Sequence, residues 1–157
     1  MSKTLRSTKE MSKDNIRQTT NLIIVHCSDS TWGCANVVTA WHNAREINPM
    51  GYHYLINNGK PNALCEYKSK WDGKIEVGRP EEFVGAHAKG YNYRSIGICL
   101  IGKHHFTLQQ LFALKDLVNQ LKTKYGSEIR VIGHCEINEI KSCPNMNPDK
   151  LREFLTS

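Results

Sequence analysis

A chain of 157 residues with 39% hydrophobic side chains can bury one sizeable core but not two. No apolar run approaches the roughly 18 residues of a membrane-spanning helix, which excludes that class. The formal net charge is +6, and half of it lies in residues 1–20, where five Lys or Arg stand against two acids.

Those twenty residues show almost no apolar periodicity and read as a flexible basic tail. They have neither the apolar core nor the small-residue cleavage site of a secretory signal, so synthesis into a reducing cytosol is expected. Disulfides rarely persist there. Metal ligation or simple burial is therefore the better reading of Cys27, Cys34, Cys65, Cys99, Cys135 and Cys143.

In chain order, NLIIVHC at 21–27 is too short for a helix and rich in β-branched residues, which predicts a buried strand. Asn36 is placed to cap a helix running to about residue 46, with Val37, Ala40, Trp41 and Ala44 at helical spacing. Further strands are predicted over 51–57, 74–79 and 95–101, separated by NNG and WDG turns. Thr107 and Gln110 have capping-box form and open the clearest helix, which Gly126 should stop. A fifth strand over 128–132 and a short closing helix over 148–154 follow. These elements imply one α/β domain of mixed α+β type over 21–157, with a central, mixed, mostly five-stranded sheet flanked by helices.

VIGHCEINEIKSCP at 131–144 crowds a His, a Lys and two Cys together. A disulfide framework, a structural metal site and one wall of a catalytic metal site all remain open as readings. His26 and His134 each fall at the end of a predicted strand, where open α/β sheets hold ligands, and each is followed by a cysteine. Adjacent strand side chains point to opposite faces, so Cys27 and Cys135 should turn to the core if the histidines face a site. Cys143, in a loop, is free to curl back. His26, His134 and Cys143 would then leave a fourth tetrahedral position for water. Spacing alone matches no general zinc signature.

Eight segments in order, IIVHCSDS (23–30), AWH (40–42), GYHYLI (51–56), IEVGRP (75–80), GAHAKGYN (85–92), SIGICLIG (95–102), GHCE (133–136) and KSCP (141–144), resemble the zinc-dependent N-acetylmuramoyl-L-alanine amidases of type 2. The likeness is greatest to phage lysozyme-type amidases, with peptidoglycan recognition proteins as more distant relatives. It implies an amidase-like fold, a Zn2+ cofactor held by His26, His134 and Cys143, and catalytic roles for Tyr52 and Lys141. His87 and Lys89 match a segment bordering the substrate cleft. His42 and His53 are expected to pack or to hydrogen-bond behind the site, and His104 and His105 to lie in a solvated loop.

The implied reaction is hydrolysis of the amide joining N-acetylmuramic acid to L-alanine in peptidoglycan. Zinc lowers the pKa of bound water to around 7, and Lys141 would compensate for the charge that a thiolate ligand donates. Two departures from the family pattern stand out. NNGKPNALCEYKSKWDGK at 57–74 is about a dozen residues longer than the usual turn, either a hairpin-loop insertion or a cleft-rim element using Tyr67 or Trp71. The loop from His134 to Cys143 is one residue longer than in near relatives.

The expected role is a phage or prophage endolysin, monomeric, acting on the wall after release from the cytosol. A resident wall-recycling or remodelling amidase is an alternative, as is a peptidoglycan-binding module without turnover. Retention of Tyr52, Lys141 and Cys143 weighs against the last. A protein partner such as RNA polymerase is conceivable from the resemblance. Positive charge suits anionic wall polymers and envelope surfaces. The sequence carries no zinc-finger spacing, helix-turn-helix cue or aromatic-basic RNA motif, so no dedicated nucleic-acid site is expected.

Overall fold

The computed structural model describes residues 13–157. Its sheet is built from β1 (Leu22–Cys27), β2 (Tyr54–Asn58), β3 (Asp72–Val77), β4 (Ser95–Leu100) and β5 (Arg130–Gly133). Their order across the sheet is β3-β2-β4-β1-β5. β1 pairs in parallel with both β4 and β5, β2 in parallel with β4, and β3 closes one edge antiparallel to β2. β1 is buried along its whole length, as its continuous apolar run requires.

Among the described residues three α-helices complete the domain: α1 (Ala35–Ala44), α2 (Leu108–Tyr125) and α3 (Pro148–Thr156). α2 begins at a capping box in which Thr107 and Gln110 satisfy each other's backbone N–H, and it ends at Gly126, whose φ of 108° suits a residue without Cβ. Leu114, Leu117, Val118 and Leu121 of α2, with Leu151 and Leu155 of α3, cover one sheet face made by Ile23, Val25, Ile56, Ile96, Ile98, Leu100 and Val131. Burying each such side chain stabilises the fold by about 1.5–3 kcal/mol.

The opposite face is covered in two patches. Val38 of α1 packs with Met50, Leu55, Cys99 and Ile101 on one side, and Leu22, Ile24, Ala88 and Ile132 cluster on the other. Between the patches the sheet opens to a cleft.

Several boundaries differ from those expected. α1 starts at Ala35, and Cys34 rather than Asn36 occupies the cap position, with no side-chain hydrogen bond. β2 starts at Tyr54, not residue 51, because the Gly51 N–H and C=O are committed elsewhere, to His42 Nδ1 and to the Ala86 N–H. A Cβ at Gly51 would lie 2.1 Å from the Ala86 carbonyl oxygen, so only glycine allows these chains to meet.

The segment before β1 also departs from the tail expected over residues 1–20. Residues 1–12 lie outside the described residues, but Ile16 forms an antiparallel bridge with Phe83, and Arg17 is 8% exposed. The Arg17 guanidinium donates to the Glu81 and Phe83 carbonyls at 2.6 and 3.0 Å and to Thr20 Oγ1 at 2.7 Å.

Candidate metal centre and cleft

His26 is the penultimate residue of β1. It shares a sheet face with Leu22 and Ile24, so it points into the opening between the two patches. His134 follows β5 at the start of a single 3₁₀ turn, and Cys143 arrives from the loop ahead of α3. One donor atom from each of these three residues lies within 4.8 Å of the others. The His26 and His134 rings are 4.6 Å apart between centroids.

The environment of the three residues suits a cation. Burial, and then neighbouring His87 and His134, hold His26 well below the ordinary imidazole pKa. Burial and then the Lys141 charge lower His134. Both rings are therefore neutral near pH 7 and present lone pairs. The adjacent Cys27 thiol, then burial, push the Cys143 thiol up. A bound cation would reverse that shift, and a soft thiolate with two imidazoles is a donor set typical of zinc.

Cys27 and Cys135 do not join the three donors. Strand alternation turns Cys27 away from His26, whereas Cys135 lies in the 3₁₀ turn beyond β5 and is half-buried rather than turned to the core. Cys27 is buried among the core residues, as expected, at the polar end of β1. Asn145 Nδ2 sits 3.6 Å from its sulfur, and its N–H donates to Cys143 Sγ at 2.9 Å. Both contacts arise because β1 ends here, and the turn carrying Cys143 caps the strand.

The three donors sit on the floor of a cleft of about 630 Å³. Tyr52, Lys141, His87 and Lys89 all line it, so the four other singled-out residues converge on one place. The Tyr52 ring is 5.0 Å from His26 and 5.1 Å from His42. Burial raises the Tyr52 hydroxyl well above the ordinary phenol value, which keeps it a proton donor. Lys141 and Lys89 are exposed at the rim. His87 lies deeper, 2.8 Å from His26 between ring nitrogens.

His53 lies behind this surface, while His42, though largely buried, reaches the cleft lining beside Tyr52. His42 Nδ1 accepts the Gly51 N–H at 2.8 Å, and His53 Nδ1 accepts the Gly97 N–H at 3.0 Å. Burial lowers both to about 4. Three contributors were not anticipated from sequence. Arg45 enters the cleft lining from the end of α1 with no side-chain signal to mark it. Asn92 accepts the N–H groups of His87 and Ala88, both at 2.9 Å, and its place in GAHAKGYN was the available hint. Asn138 lines the far rim.

No residue of the 57–74 insertion lines the cleft. Its arm closes on itself through Tyr67 Oη donating to Asp72 at 2.6 Å, with Lys74 Nζ 4.0 Å from the Trp71 ring centroid. Asp72 in turn accepts from Thr107 at the head of α2. The geometry supports the hairpin-insertion alternative over the cleft-rim one.

Residues 16–146 match the N-acetylmuramoyl-L-alanine amidase family. The chain belongs to that family. Among relatives of this amidase, the endolysin of Escherichia phage T7 is 36% identical over 144 residues, covering 83% of this chain and 84% of its own. A peptidoglycan-recognition protein of Drosophila melanogaster is 29% identical over 127 residues, covering 71% of this chain and 63% of its own. The N-acetylmuramoyl-L-alanine amidase LysC from Clostridium intestinale shares the amidase fold with a TM-score of 0.74 at 26% identity, over 90% of this chain and 87% of that one. The match begins at residue 16, so it takes in the packed segment around Arg17. Among the described residues of the amidase, no helix is long and apolar enough to cross a membrane.

Proposed function

We propose that this chain hydrolyses the amide between N-acetylmuramic acid and L-alanine in peptidoglycan, as a phage or prophage endolysin with zinc as its cofactor. The observation that carries the reading is the convergence of His26, His134 and Cys143 on the floor of an open cleft beside Tyr52 and Lys141. Amide hydrolysis needs an activated water, stabilisation of a tetrahedral oxyanion and room for a polymer, and an open groove meets the last need.

His26, His134 and Cys143 would hold the ion, which when bound supplies Lewis-acid polarisation and acidifies water. Tyr52, kept protonated by burial, donates a hydrogen bond to the carbonyl oxygen as negative charge develops there. Lys141 brings a full positive charge to the same oxygen from the rim. Lys89 and His87 border the path of the stem peptide. The catalytic domain is residues 21–157, with the Arg17 segment strapped to it. Its site of action is the cell wall, reached after synthesis in the cytosol, and its net charge of +6 favours anionic envelope polymers.

The test is digestion of purified sacculi with and without a zinc chelator, with released ends identified by mass spectrometry. Stem peptides beginning with L-alanine, lost on chelation and restored by zinc, are the expected result. Binding to sacculi without release would overturn the reading.

A further inference from the structure

His26 and His87 come from β1 and from the loop ahead of β4, 61 residues apart, and meet edge to face with ring centroids 4.9 Å apart. His26 Nε2 and His87 Nδ1 are 2.8 Å apart. On its other side, His87 Nε2 lies 3.3 Å from Ser95 Oγ, and Ser95 Oγ lies 2.8 Å from the Tyr91 carbonyl oxygen. Ser95 is 0% exposed, so water does not substitute for these partners.

The direction of every proton in this series follows from its last member. A main-chain carbonyl only accepts, so the single Ser95 hydroxyl proton is donated to Tyr91. The Ser95 oxygen can then only accept from His87, which requires the His87 proton to be on Nε2. His87 Nδ1 is left as a bare lone pair facing His26 Nε2, which must carry the proton. The remaining His26 nitrogen, Nδ1, is thereby left unprotonated as the one free to hold an ion.

We propose that His87 and Ser95 are positioning residues that set the tautomer and ring plane of His26 for metal binding. The proposal rests on the metal reading given above. Metal-bound imidazoles generally donate their second N–H to a carboxylate, a carbonyl or water. Here a second imidazole takes that part. Being neutral, it orients His26 while adding less negative charge than a carboxylate would, and in this donor set the Cys143 thiolate already supplies charge.

The surrounding structure is shaped to hold His87 in place. Its backbone N–H and that of Ala88 are pinned by Asn92 Oδ1. Gly97 lies beneath the ring, where a Cβ would come within 2.6 Å of it. His87 therefore lies flat on the sheet because β4 has no side chain at that point.

The experiment begins with zinc titration of the metal-free wild-type chain against a chromophoric chelator. One tight equivalent upholds the metal reading, and its absence overturns that reading and the relay with it. His87→Phe keeps a ring but removes the acceptor, and should weaken zinc affinity by about 10–100-fold. His87→Asn, whose Oδ1 occupies the place of Nδ1, should restore most of that loss. Both comparisons are made alongside thermal unfolding of the metal-free forms, which a purely structural role would move and orientation of His26 would not. Unchanged affinity in His87→Phe overturns the relay while leaving the metal site standing. If His87→Phe does not fold, ¹⁵N imidazole correlation spectra of the zinc-loaded wild type decide. His87 protonated on Nε2 and His26 on Nε2 support the relay, and His87 protonated on Nδ1 overturns it.

Discussion

The sulfur of Cys143 accepts a hydrogen bond from the main-chain N–H of Cys27 at 2.9 Å, across 116 residues of sequence. The contribution of Cys27 to that bond is backbone, whereas that of Cys143 is its thiol. Cys143→Ala should therefore lose stoichiometric zinc on dialysis, and Cys27→Ala should keep it. Metal analysis of the two variants checks this, and equal loss from both would make the Cys27 thiol a ligand.

Tyr52→Phe removes only a hydroxyl from a ring that packs against both His26 and His42. Zinc content and melting temperature should stay near wild type while kcat falls by about 10²-fold, the size of a lost transition-state hydrogen bond. Turnover of sacculi at saturating substrate measures it, and normal turnover would remove Tyr52 from the mechanism.

Lys141 is exposed at the rim, and its charge is felt by His134. Lys141→Ala should lower kcat/KM by about 10²–10³-fold with the metal retained, since in the proposed mechanism it removes charge that steadies the oxyanion. Lys141→Arg should recover part of that loss. A loss arising only from a higher KM would instead assign Lys141 to ground-state binding.

The elements themselves were legible because their signals are local. β1 announces itself as an apolar β-branched run, and α2 by Thr107, Gln110 and Gly126 at its ends. The proposed metal donors were legible in part: strand alternation separates His26 from Cys27, but drawing in Cys143 needed the likeness of KSCP to a family pattern. Arg17 looked like one charge among five in a basic stretch, because its partners Glu81 and Phe83 lie 64 and 66 residues away. The pairing of His26 with His87 is equally remote in sequence, and no periodicity encodes it. Position 54 rather than 51 as the start of β2 escaped for the same reason, since it depends on His42 and Ala86 claiming Gly51.

Arg17 offers a stability test. Its buried fork satisfies two carbonyls and the Thr20 hydroxyl, and Arg17→Ala would leave the Glu81 carbonyl unpaired and the Phe83 carbonyl with His53 Nε2 alone. A loss of about 2–4 kcal/mol is expected. In a chain of this size that lowers Tm by roughly 4–16 °C, read by calorimetry. Arg17→Lys should not restore it, because a point charge cannot reach both acceptors.

Glu81 sets an acid limit. Burial alone would raise its pKa, but hydrogen bonds from Lys124, Tyr125 and Tyr54 outweigh that and hold it at about 2, below the ordinary 4.5. A carboxylate depressed in the folded state adds stability that is complete above the unfolded value and is lost as pH falls through the folded one. Urea unfolding of the metal-free protein should therefore show stability declining from about pH 4.5 to about pH 2. Glu81→Gln should flatten that decline, and an unchanged slope would show that other carboxylates dominate.

The arm between β2 and β3 gives the molecule a place where length is cheap. Its far end carries Leu64, a residue 98% exposed, while Tyr67 and Asp72 clasp its base. A reporter peptide or affinity handle spliced in beside Leu64 would ride outside that clasp and leave the groove floor undisturbed. Such a graft would turn the chain into a wall-directed carrier whose cargo and cutting edge occupy separate parts of the surface.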